Sequence, residues 1–168
     1  MYAAQFYDAA NTVLENFVKA QKAMGINVSQ SPDFIEVPDE LMRKYGRDGG
    51  KAYAEEINRA INNKTKIAVV LIRYENHYEK VKKALDQKGI PSQFLRVDTV
   101  RKPITVYSNL LKQMNAKLKQ DLYHINIEKD FANSMVIGVD VCHAGRNSIV
   151  GLTATYTPHL TQHFCRAY

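Results

Sequence analysis

Cysteine is scarce in this chain: Cys142 and Cys165 are the two among 168 residues. Two thiols are too few for a disulfide framework, so reduced cysteines in a cytoplasmic or nuclear setting are the expectation. No apolar run approaches the roughly 18 residues of a membrane-spanning helix, and there is no secretory-leader pattern, which makes a soluble protein the expected class. Neither G-x-G-x-x-G nor G-x-x-x-x-G-K-[ST] occurs. The glycine-rich phosphate cradles of common nucleotide-binding folds are therefore absent. There is no internal repeat and no low-complexity linker.

Acidic residues are short in one segment. Between Arg73 and Lys119 there are 11 Lys/Arg against 4 Asp/Glu, a local charge of +7 in a chain whose net charge is +6. The whole positive excess thus sits on that stretch, where it favours phosphate ligands in a salt-sensitive way. A hydrophobic content of 45% in a chain of this length is enough for one core, with a small appended piece.

Periodicity sets out the elements. Phe6 to Met24 reads as an amphipathic helix with Phe6, Ala10, Val13, Leu14 and Phe17 near one face, ended by Gly25. A turn at Ser31, Pro32 and Asp33 leads to a short strand, Phe34 to Val37. Pro38 and Asp39 open a helix through Tyr45, which Gly46, Gly49 and Gly50 interrupt, and another helix runs from about Ala52 to Asn62. Lys66 to Ile72 is a nearly unbroken β-branched strand of the kind covered on both faces in a parallel sheet. Helix (His77 to Lys88), strand (Ser92 to Val97), helix (Thr105 to Lys119) and strand (Met135 to Val141) then alternate, as in a Rossmann-like α/β domain. Ser148 to Tyr156 reads as a strand pairing with Met135 to Val141.

Within this frame five residues suggest a pocket for a terminal phosphate. Tyr78 and Lys82 stand four apart on one helix face. Gln93 follows the helix-ending Gly89-Ile90-Pro91, and Gln113 and Lys117 repeat the four-residue spacing on the next helix. An aromatic ring, two ammonium groups and neutral amides suit the end of a nucleic acid strand. On residue types alone the plainer reading, a helix tyrosine with solvated lysines, is favoured, since Tyr-x-x-x-Lys spacings are common.

The ordered series of motifs shifts that balance. The run Tyr78 to Lys117 resembles the MID domain of the Argonaute/Piwi family, and Pro91-Ser92-Gln93 with Leu111-Lys112-Gln113-Met114-Asn115-Ala116-Lys117 resembles its Piwi branch. In the Argonaute branch a lysine usually stands where this chain has Gln113. Met135-Val136-Ile137-Gly138-Val139-Asp140-Val141 resembles the opening strand of the family's PIWI domain. Ala23-Met24-Gly25-Ile26 and Phe34-Ile35-Glu36-Val37 are similar to the Piwi pattern further upstream. The resemblance implies a Rossmann-like MID domain over residues 1–130, with a mainly parallel sheet flanked by helices. Residues 131–168 would be the N-terminal part of a truncated, RNase H-like PIWI domain. One departure is local: Lys119-Gln120 replaces a common Gly-Gly, leaving the backbone there less free.

The function so implied is anchoring of the 5′-monophosphate and first nucleotide of a single-stranded guide RNA for RNA-guided silencing, with the remainder of a Piwi protein as partner. Tyr78 would stack on the first base, Lys82 and Lys117 would neutralise the phosphate, and Gln93 and Gln113 would orient it. Mg²⁺ bridging guide phosphates beside Gln113 would replace the missing lysine charge. Arg73, Tyr74, Glu75, Asn76 and His77 match in position the loop that selects the first base. Asp140 resembles the first metal-binding aspartate of the PIWI site, but that chemistry needs several carboxylates. Glu128 and Asp130 precede the strand and are not expected to face Asp140. The fragment is therefore expected not to be an enzyme, while the parent protein is compatible with an RNA-guided endonuclease. His159-x-x-x-His163 has zinc-ligand spacing, yet Cys142 and Cys165 form no CxxC pair. The competing classes are a Rossmann-like mononucleotide enzyme and a basic protein-interaction domain.

Overall fold

The apolar run after Lys66 becomes strand β3 (Ala68–Ile72), as its β-branched content favours. The computed structural model describes residues 1–26, 31–121, 126–128, 131, 133–145 and 147–168. It divides into two compact units, Met1–Leu118 and Lys119–Tyr168. The domain boundary read from the sequence, between 130 and 131, lies inside the second of these units, and residue 130 is outside the described set.

In the first unit β3 pairs in parallel with β4 (Ser92–Arg96), in register from Ala68↔Ser92 to Ile72↔Arg96. A parallel pair needs a crossover, and α4 (Tyr78–Gln87) provides it. A second parallel pair joins β1 (Tyr2–Ala3) to β2 (Glu36–Val37). Met1 links the two pairs, donating its nitrogen to Val69 O (2.8 Å) and accepting the Leu71 N–H (3.0 Å). Tyr53 reinforces that seam from α3 (Gly49–Ala60): its hydroxyl donates to Leu71 O (2.8 Å) and accepts from Ala3 N (3.1 Å). Burial pushes the Tyr53 phenol up to about 12. Among the described residues three further helices complete the unit, α1 (Tyr7–Ala23), α2 (Asp39–Tyr45) and α5 (Ile104–Lys117). Helix α5 packs against α1, while α3 packs on α4. Ile57, Val70, Val81, Leu85 and Tyr107 are fully enclosed between these layers.

Several expectations shift in detail. The first helix begins as a 3₁₀ turn at Ala4–Phe6, and Gly25 follows its end with a φ of +66°. Gly46 ends α2 at φ +52°, but Gly49 and Gly50 do not interrupt a helix; they form the first turn of α3. A Cβ at Gly49 would stand 2.7 Å from the His77 ring, and one at Gly50 would be 3.2 Å from His77 O. These glycines therefore permit close approach of α3 to the 3₁₀ turn Glu75–His77. Lys119 takes the left-handed conformation that favours glycine, with φ 58°. For a lysine this costs about 1 kcal/mol.

The second unit is an antiparallel meander of β5 (Ile137–Ala144), β6 (Asn147–Thr155) and β7 (His163–Ala167). The first two strands match the expected pair, and β7 adds a third that includes His163.

Candidate nucleic-acid interface

Strand β4 is where Gln93, Lys117 and Tyr78 of the five candidate pocket residues make their contacts. Among the described residues it pairs only with β3, so one of its edges is open. Pro91 O is bonded to Ala68 N (2.9 Å) and faces β3. Backbone carbonyls alternate along a strand, so Ser92 O faces the open edge. Lys117 Nζ, from the last turn of α5, is bonded to Ser92 O (2.6 Å) and to Gln93 Oε1 (2.8 Å). Gln93, only 6% exposed, directs its amide nitrogen to Phe94 O (3.3 Å). Lysine on an open edge is also a common guard against edge-to-edge pairing, a second duty for the same side chain.

Successive strand residues point to opposite faces. Gln93 meets α5 on one face, while Phe94 meets Tyr78 of α4 on the other, with ring centroids 4.6 Å apart and planes at 61°. Tyr78 remains 42% exposed, leaving ring surface for a further aromatic partner. Lys82, one turn along α4, is bonded to Asp86 (2.5 Å). Burial pushes the Lys117 ammonium below its ordinary range, and the charge of Lys82 pushes it in the same direction. The charge of Lys82 on α4 is thus felt at the Lys117 ammonium on the β4 edge. An anion there would relieve the repulsion between like charges.

Gln113 lies exposed on α5, one turn before Lys117. The loop residues are spread more widely. Arg73 lies over the Phe6 ring (5.6 Å), Glu75 is paired with Arg96 (2.7 Å) and Asn76 Nδ2 reaches Arg47 O (3.4 Å). Tyr74 is exposed. His77 departs from the expected placement in a base-reading loop, because its ring is buried against Gly49, Tyr53 and Tyr74. Asp86, Phe94 and the Ser92 carbonyl went unforeseen. The i,i+4 spacing of Lys82 and Asp86 and the alternation along β4 were the available signals.

Comparison with known proteins bears on the whole arrangement. The model of the Piwi domain matches residues 66–167, from just before β3 to the last residue of β7. Piwi-like protein 1 of Gallus gallus is 30% identical over 175 aligned residues, which take in 99% of this chain. The chain belongs to the Argonaute/Piwi family. It spans 19% of the length of that Piwi relative.

Against the Piwi pattern, Asp140 stands on β5 opposite Gly151, exposed, with its carboxylate accepting the Val141 N–H (3.0 Å). Asp130 lies outside the described residues. Among the described residues no group of three or more His, Cys, Asp or Glu is placed to hold a metal ion. His143 is bonded to Ser148 (2.8 Å) and Cys165 to Thr153 (3.4 Å). Among the described residues no helix is long and apolar enough to cross a membrane.

Proposed function

We propose that this chain holds the 5′-monophosphate and first nucleotide of a small single-stranded guide RNA, within a cytoplasmic or nuclear Piwi-type protein that uses such guides for silencing. The observation that carries this reading is the Lys117 ammonium held by Ser92 O and Gln93 Oε1 at the open edge of β4, with the charge of Lys82 on α4 felt at the same ammonium. Gln93 fixes the Lys117 ammonium at 2.8 Å, so one donor is oriented before any ligand arrives. A phosphate takes charge-assisted bonds from both lysines, and the first base stacks on the exposed ring of Tyr78.

The protein alone is a poor host for a divalent cation here. Gln93 Oε1 is already bonded to Lys117, which leaves the exposed Gln113 amide, one turn before Lys117, as the remaining amide oxygen of the five candidate residues. A hard cation prefers six or more oxygens, so Gln113 fits Mg²⁺ only where guide phosphates supply most of the ligands.

Fluorescence anisotropy with matched 5′-phosphorylated and 5′-hydroxyl RNAs tests the proposal. The phosphorylated RNA should bind at least tenfold more tightly, the worth of roughly one charge-assisted contact. Equal affinities would overturn the reading. Repeating the pair in Mg²⁺ and in EDTA at fixed ionic strength isolates the cation, since screening acts on both RNAs alike.

A further inference from the structure

Five contacts bear on the segment 73–77, one of them the Asn76 Nδ2 bond to Arg47 O (3.4 Å). At its start Arg73 lies over Phe6 (5.6 Å), and at its end the His77 ring is buried against α3. The His77 N–H closes the turn on Tyr74 O (3.2 Å). In the middle, Glu75 accepts from Arg96 Nη1 (2.7 Å). Arg96 is the last residue of β4, in register with Ile72, the last residue of β3. The loop leaves from the end of β3, so this ion pair ties it to the neighbouring strand end. Ligands of parallel α/β sheets bind beyond those carboxyl ends.

Arg96 also donates through Nη2 to Asp98 (3.2 Å), in the 3₁₀ turn Val97–Arg101 that follows β4. A guanidinium forked between two carboxylates is restricted in both directions, unlike a lone surface pair. The His77 contacts belong to the core and the backbone, while the exposed Arg73 and Asn76 reach a buried ring and a backbone carbonyl. The Glu75–Arg96 pair alone among these joins two exposed side chains, so it can be removed without disturbing packing.

We infer that Arg96 is a positioning residue for first-base selection: through Glu75 it holds the 73–77 loop in the shape that discriminates one base from another. This rests on the 5′-end reading proposed above and adds a residue outside the five-residue pocket. Base discrimination depends on where backbone and side-chain groups of the loop stand, whereas phosphate affinity depends on Lys82 and Lys117. Loosening the loop should therefore blur the first separately from the second.

The test measures Kd for four 5′-phosphorylated RNAs differing only in the first base, and for one 5′-hydroxyl control. Arg96→Gln should reduce the ratio of best to worst base by about two- to fivefold, the worth of a partly exposed ion pair, while keeping the preference for phosphate. Glu75→Gln should reduce the ratio similarly, and the double variant no further, because both changes break one tether. A base ratio unchanged in Arg96→Gln, additive effects in the double variant, or a uniform loss across all RNAs would each overturn the inference. A wild type indifferent to the 5′-phosphate would instead sink the underlying reading of the pocket.

Discussion

The two units of this chain contain sheets of similar regularity with opposite degrees of cover. In the first, β3 and β4 lie among helices, and every buried apolar residue among those described belongs to it. In the second, β5, β6 and β7 pair along their lengths, yet Ile137, Val139, Val141, Ile149 and Phe164 remain exposed. Backbone hydrogen bonds define a sheet, but burial between layers stabilises it. The difference also separates the candidate sites. The candidate pocket residues stand on β4 and on the helices that meet its two faces, where Gln93 and Lys117 are held by bonds to each other and to the strand. Asp140 stands on a sheet with no helix among its described elements, and its nearest described polar partner is its own neighbour's backbone.

Paired substitutions should expose this contrast most strongly. Leu85 is fully enclosed, and Leu85→Ala should lower the stability of the first unit by about 2–5 kcal/mol through lost burial and a residual cavity. Val139 is 63% exposed, and Val139→Ala should stay within about 0.5 kcal/mol. Urea denaturation followed by circular dichroism, with hydrogen exchange to assign each transition, gives both numbers. Comparable losses from the two variants would break the comparison, because β5 would then be supporting a core of its own.

The next largest effects concern binding. Lys117→Ala removes a charge-assisted donor and should weaken 5′-phosphorylated RNA by about 1.5–3 kcal/mol, roughly ten- to a hundredfold. Lys82→Ala should have a smaller effect, because a ligand reaching Lys82 must first displace Asp86 from its ammonium. Asp86→Asn tests that ordering from the other side and should tighten binding a few-fold, roughly the worth of an i,i+4 ion pair. Anisotropy titrations of the three variants suffice. If neither lysine variant differs from wild type, the strand edge is not the phosphate site.

Much of this was legible in the residues, within limits set by what periodicity encodes. The α2 helix emerged at its expected bounds, and β3, α4, β4 and α5 within one or two residues at each end, because their apolar spacing is regular. Strand β1 was not foreseen, since two residues carry no period and its place depends on Met1, Tyr53 and β3. Gly49 and Gly50 were misread as breakers because the sequence does not reveal that His77 would pack against them. In the pocket, helical spacing paired Tyr78 with Lys82 and Gln113 with Lys117. It could not show that Lys117 reaches across to Ser92 O and Gln93, which depends on how α5 meets the edge of β4.

The smallest expected effect tests whether that buried histidine acts within the covered unit alone. Burial lowers the pKa of His77 below the ordinary histidine value, and Asp48 offsets only part of that shift. The fold therefore favours the neutral ring. Between the lowered folded value and the unfolded value near 6.5, the unfolded chain binds more protons than the native one. Stability is then lost as pH falls through this window, and the contribution disappears above it. Asp48 and Glu55, whose pKa values lie below the ordinary carboxylate range, lose their own stabilisation only at more acidic pH. Burial also lowers the Met1 amine from 8.0 to about 6, which costs stability over the same interval, so the difference between wild type and His77→Gln from pH 7.5 to 5.5 is what isolates the histidine. Wild type should lose more stability over that interval than His77→Gln, whatever the variant's absolute stability. Hydrogen exchange should place the loss in β3 and α3, which the His77 region joins, and leave β5–β7 unchanged. An identical pH response in wild type and variant would mean that the ring titrates freely and that the close packing at Gly49 does not exclude the charged form.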